Sequence, residues 1–212
     1  MNKTWTSLRT SGPARLPPDP FRLCIDLNVW VRCYLAHAGN LRGTASQFII
    51  EAVQDGRSGV GPIQLVVSHA MLDRLHGVLL RKGASLDSST QFISLIASIS
   101  RLGPSGSFPH LVLGGGVNPT GDARMPVYDP YDLKAIAPRF DPEDGRVIDV
   151  AVAGRAHALV TSNFRDFADR HDRVISPGRV HVRHTAALDV FIAQPAEMAA
   201  WLRTGTAPAV RR

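Results

Sequence analysis

Side chains that could gather a divalent cation stand in short stretches far apart in the chain. Asp26 closes the apolar run Phe21-Arg22-Leu23-Cys24-Ile25. Asp144 ends the acidic stretch Asp141-Pro142-Glu143-Asp144, and Thr161, Asn163 and Asp166 follow the apolar Ala158-Leu159-Val160. Carboxylates brought together repel one another, so such a cluster is costly unless a cation sits in it. Oxygen donors without Cys or His suit Mg²⁺ or Mn²⁺. A metal of that kind activates water and stabilises the charge that develops on a phosphodiester. Each residue also has a structural reading: Asp26 as the cap of the next helix, Asp144 as compensation for a helix dipole, Asp166 as the cap of a turn. Their joint placement is what favours chemistry.

The elements that must position them can be read from apolar spacing. Phe21–Asp26 reads as a buried strand, after which Asn28 can cap a helix carrying Val29, Trp30, Val31, Tyr34 and Leu35. A second amphipathic stretch runs over about 44–54. Ile63–Val67 reads as a strand, with Ser68 capping a helix through Met71, Leu72, Leu75, Val78 and Leu79. Further helices are expected over about 88–102 and from Asp141 to Arg155, with a short strand at Leu111–Leu113 between them. Strands at Ala158–Val160 and Val180–Val182 and a closing helical pair, about 186–193 and 195–203, complete the pattern. Strands alternating with helices predict an α/β fold, a three-layer α/β/α sandwich around a central parallel sheet of four or five strands. In such a sheet ligands collect at the carboxyl ends of the strands, where Asp26 and Thr161 fall.

Residues 1–20, with Pro13, Pro17, Pro18 and Pro20, read as a flexible arm, and 204–212 as a tail. One domain is expected over 21–203. Residues 103–139 hold six glycines and six prolines and read as an insertion.

The opening Leu23-Cys24-Ile25-Asp26-Leu27-Asn28-Val29 is similar to the hhhDxNh start of PIN-domain proteins. Asp144 through Ala151, then Ala156-His157-Ala158-Leu159-Val160-Thr161-Ser162-Asn163-Phe164-Arg165-Asp166-Phe167, resembles that family's D-x6-A and A-x-x-LVT-x-[DN]-x-x-D-[FL] blocks. The likeness covers about 22–190. It implies a metal-dependent nuclease fold of the kind that includes the VapC-like toxins of bacterial toxin–antitoxin pairs. By position, Asp26 and Asp144 match the first and third family acids, Thr161 the hydroxyl beside the metal, and Asn28 the polar residue after the first strand. Asn163 stands where many members carry a fourth acid, and Asp166 can supply that charge. The second acid is the departure. Ser68-His69-Ala70-Met71-Leu72-Asp73-Arg74-Leu75 resembles the family's S-x-x-h-h-x-E-h helix, and the glutamate position holds Arg74. Asp73 is adjacent, but one helical step turns a side chain by about 100°.

The resemblance therefore implies a metal-dependent endoribonuclease acting on single-stranded RNA. Asp26, Asp144 and Asp166 would hold Mg²⁺ or Mn²⁺, with Asp73 assisting. Asn28, Thr161 and Asn163 would orient water or phosphate, while Arg74, Arg146 and Arg165 would contact the RNA backbone. Slow cutting with weak metal binding, and a catalytically silent module that binds RNA or a protein, stay open beside it. An antitoxin and a second copy of the chain are the protein partners the resemblance implies.

Composition agrees with a folded domain: 212 residues, 44% hydrophobic and 20% charged. The net charge of +6 favours a polyanionic partner, although several positive charges sit at the two ends of the chain. The sequence shows no apolar run of membrane-spanning length and no signal-peptide pattern. Together with only two cysteines, that leads to the expectation of a cytoplasmic protein. Gly114-Gly115-Gly116 lacks the context of a phosphate loop. Arg179–His184 reads as a basic sheet edge, Trp30 and Tyr34 as core, and Trp201 as a seal on the domain or a contact between copies.

Overall fold

The computed structural model describes residues 20–102, 111–112, 142–167, 169–185 and 188–207. The expected arm and most of the expected insertion and tail lie outside them. In chain order the elements are β1 Phe21–Ile25, α1 Leu27–Ala38, α2 Ala45–Gln54, β2 Arg57–Ser58, β3 Gly61–Ser68, α3 His69–Arg81, α4 Leu86–Leu102 and β4 Leu111–Val112. After these come α5 Pro142–Ala153, β5 Ala158–Val160, α6 Phe164–Phe167, β6 Arg173–Ser176, β7 Val180–His184, β8 Asp189–Ala193 and α7 Pro195–Thr204.

Local chemistry sets several boundaries. Asp26, not Asn28, is the N-cap of α1, its side chain accepting from the Leu27 N–H. Thr44 and Gln47 make a reciprocal capping box at α2. Ser68 caps α3 as its position predicts, accepting from the Met71 N–H at 3.2 Å. Arg155, with φ +52°, turns the chain out of α5 and back toward β5.

The strands lie in the order β2-β3-β1-β5-β8-β7-β6, with β4 also paired to β3. β4, β3, β1, β5 and β8 run parallel, forming the expected centre. The sheet as a whole is mixed, because β2 pairs antiparallel with β3 and the β6–β7 hairpin is added antiparallel to β8. Leu23, Cys24 and Ile25 of β1 and all of β5 are buried, so helices cover both faces. One set, α1 through α4 with α7, is linked by mutual contacts, and α5 and α6 form the other.

Two expectations for the last third of the chain are corrected. Residues 189–193 form β8 rather than a helix. Val190, Phe191 and Ile192 are buried between β5 and β7, and a short apolar run of that kind has no periodicity to separate strand from helix. Arg179–His184 is not a sheet edge: β7 lies inside the sheet between β6 and β8. Trp30 and Tyr34 pack as expected. The Trp30 indole donates to the Ile25 carbonyl, and both rings meet Phe92 edge-on. Trp201 is buried against Phe191.

Gly59 ties the β2–β3 turn to the end of α7. Its N–H donates to the Leu202 carbonyl at 2.7 Å, and a Cβ there would lie 2.7 Å from the Gly205 nitrogen and 2.8 Å from the Leu202 oxygen. Those neighbours are backbone and cannot rotate away. Gly59→Ala is therefore expected to destabilise the chain by about 1–3 kcal/mol, seen as a lower urea midpoint. An unchanged midpoint would show that the two segments separate at no cost.

Candidate functional site

The parallel register puts Ile25 beside Val160, so the next residues, Asp26 and Thr161, leave the sheet side by side. The Asp26 N–H still donates to the Val160 carbonyl, and the Thr161 N–H to the Ala193 carbonyl. Backbone pairing thus carries past the strand ends and fixes both side chains at the carboxyl edge.

There they form one hydrogen-bonded network. Asp26 is 5% exposed. Its Oδ1 accepts from the Leu27 N–H, and its Oδ2 accepts from the Thr161 hydroxyl at 2.7 Å and from the Asn28 amide. Asn28 Oδ1 accepts from the Ser162 N–H at 2.9 Å, closing the link between the two strand ends. The Thr161 Oγ1 accepts from the Asn163 N–H, and the Asn163 amide donates to Asp166 Oδ2 on α6. Asp26, Asn28, Thr161, Asn163 and Asp166, separate in the sequence, are thereby joined.

Burial pushes the Asp26 carboxyl above its ordinary value, against the hydrogen bonds from Thr161, the Leu27 N–H and Asn28 and the positive charge of Arg74. Arg74 is half-buried on α3. Asp73 is exposed: it stands about 200° round the helix from the buried Leu75, on the solvent side. Among the described residues it does not join the network. Arg165 is exposed on α6.

Asp144 lies in the first turn of α5, while its side chain and that of Arg146 fall outside the described part of the molecule. Because α5 turns back directly into β5 and packs on β1 and β5, its first turn points toward the carboxyl edge.

Sequence reasoning overlooks Ser162. Its N–H holds Asn28, and its hydroxyl is buried with no hydrogen-bond partner among the described residues. The only signal is its place between Thr161 and Asn163. The two cysteines are free and buried, and burial pushes the Cys33 thiol up to about 11. Neither is a thiolate nucleophile at neutral pH.

Residues 22–165 match the family model of the PIN domain. The chain belongs to the PIN-domain family. The match runs from β1 through the start of α6, spanning both strand ends that build the network. Asp166, the β6–β7 hairpin, β8 and α7 lie beyond it in the sequence. No curated protein matches the chain, and no solved structure does. PIN domains are nuclease-type folds, generally dependent on divalent metal.

The donor set fits such a metal in kind. It offers oxygen ligands without Cys or His, and the loss of hydration on burial already pushes the Asp26 carboxyl above its ordinary pKa. Among the described residues no group of three or more His, Cys, Asp or Glu side chains is placed to hold an ion.

Proposed function

We propose that this PIN domain is a metal-dependent endoribonuclease that hydrolyses phosphodiesters of single-stranded RNA in the cytoplasm. The observation that carries the reading is the buried Asp26 carboxylate, held at the carboxyl edge by Thr161 and Asn28. Asp26, Asp144 and Asp166 would hold Mg²⁺ or Mn²⁺. When bound, the ion would supply a lowered pKa for water and charge neutralisation at the phosphodiester.

The chain's own residues do the positioning. Thr161 and Asn28 fix the Asp26 oxygens, so the carboxylate presents one geometry. Asn163 holds Asp166 at the head of α6 and orients water or a phosphate oxygen. Arg165, exposed beside them, and Arg74 contact the phosphate backbone, which positions RNA without reading its sequence. Asp73 sits on the adjoining solvent face of α3 and can take part only through solvent. A small antitoxin and a second copy of the chain are the proposed protein partners, in keeping with a toxin role. Among the described residues no helix is long and apolar enough to cross a membrane.

The arginine at position 74, whose positive charge bears on Asp26, supports a second reading, a catalytically silent module that keeps the PIN fold for binding RNA or protein. Titrating Mg²⁺ or Mn²⁺ into labelled single-stranded RNA with the full chain separates the two. Metal-dependent cutting that disappears in Asp26→Asn/Asp144→Asn is expected. Equal residual cutting by both proteins would be a contaminant's and would leave the silent module. Flap DNA as competitor checks the substrate class: if it is cut in preference to RNA, the ribonuclease reading fails.

A further inference from the structure

The segment that carries Asn163 and Asp166 is gripped from behind by a strand whose basic sequence suggests an outer edge. Arg183 of β7 donates from Nε to Asp172 Oδ1 at 2.7 Å, and from Nη2 to Asp172 Oδ2 at 3.0 Å and to the Phe167 carbonyl at 2.7 Å. The Asp172 side chain is 2% exposed and that of Arg183 is 13%. Asp172 Oδ2 also accepts from the Asp169 N–H, so the carboxylate ties the chain after α6 to β7 at more than one point. On the same strand the His181 ring meets Phe164, the first residue of α6, edge-on, with its Nδ1 3.9 Å from Asp172. Both ends of α6 are therefore fastened to β7.

A forked guanidinium on a carboxylate is among the most directional contacts a protein can make. None of these residues is in the Asp26 network, yet the short α6 stands between the two. Its own four residues are too few to hold a position in isolation.

We infer that Asp172 and Arg183 are positioning residues, a buried clamp that fixes α6, and with it Asn163 and Asp166, against the Asp26 edge of the sheet. The role of the clamp in catalysis rests on the proposed nuclease function. Its hold on the segment does not.

Hydrogen exchange on the full chain tests the hold. Arg183→Lys keeps the charge and removes the fork, and Asp172→Asn removes the charge. Amides of 161–167 are expected to exchange faster by on the order of tenfold in both variants, while those of β1 and β3 keep their rates. RNA cleavage by Arg183→Lys is expected to show a lower kcat at unchanged KM. Unchanged exchange over 161–167 would overturn the inference. So would acceleration spread equally over β1 and β3, which would mark an ordinary fold-wide ion pair. Local opening with kcat intact would remove the catalytic role. Should Asp172→Asn fail to fold, the milder Arg183→Lys decides. Should the wild type cut no RNA under any metal, the nuclease reading fails and the exchange data still judge the clamp.

Discussion

Asp26→Asn is expected to lower metal-dependent RNA cleavage by on the order of a hundredfold or more and to make the chelated protein more tolerant of neutral pH. Both effects have one origin. The carboxylate is buried, and its hydrogen bonds and the charge of Arg74 do not compensate its lost hydration. Its folded pKa therefore lies above its unfolded one. Between those two values the folded chain keeps a proton that the unfolded chain has released. Stability from this group is thus full below the unfolded pKa and declines as pH rises through the folded pKa. Asparagine carries no such dependence, and it remains a good helix cap with an oxygen for the Leu27 N–H. Urea midpoints measured in chelator across acid to neutral pH should fall for the wild type relative to the variant. Parallel profiles would mean that Asp26 costs nothing to ionise in the folded chain. Cleavage that survives the substitution would remove Asp26 from the chemistry.

Arg74→Glu is expected to tighten Mn²⁺ binding by at least about tenfold and to raise the rate of RNA cutting. The substitution changes the local charge by two units. At an effective dielectric near 20, a unit charge about 8 Å from another is worth about 2 kcal/mol, before any gain from the ion's second charge. Part of that is lost to solvent, since Arg74 is only half-buried. Without metal the same change should harm the protein. It removes the positive charge that favours the ionised Asp26 and adds a negative one. The chelated variant is then less stable than the wild type near neutral pH, and added Mg²⁺ restores it by mass action. Calorimetric or spin-resonance titration with Mn²⁺ reads the affinity directly. If affinity is unchanged, Arg74 does not govern the metal site. If affinity tightens and cutting stays absent, the silent-module reading gains.

Asp26, Thr161 and Asn163 are legible in the sequence because a strand ending on a polar residue leaves a local mark. Leu23-Cys24-Ile25 and Ala158-Leu159-Val160 are short apolar runs, and the polar residue after each must sit at the sheet's edge. Ser162 is not legible, since its importance is a backbone N–H aimed at Asn28, which any residue but proline could supply. Arg183 is hidden for a related reason. A basic residue in Arg179–His184 looks like surface until the partner, Asp172, is known, and the pairing depends on the β6–β7 hairpin folding back.

The sequence by itself determined the alternation of strands and helices, the cap at Ser68, and the family to which residues 22–165 belong. Those arise from periodicity and from hydrogen bonds between near neighbours, which the order of residues contains. Only the tertiary structure decided that Asp189–Ala193 is a strand, that β7 lies inside the sheet, and that Arg183 pairs with Asp172. A four-residue apolar run such as Val190–Ala193 takes its conformation from the neighbours that bury it, and a charge acquires its effect from the groups that lie across space from it.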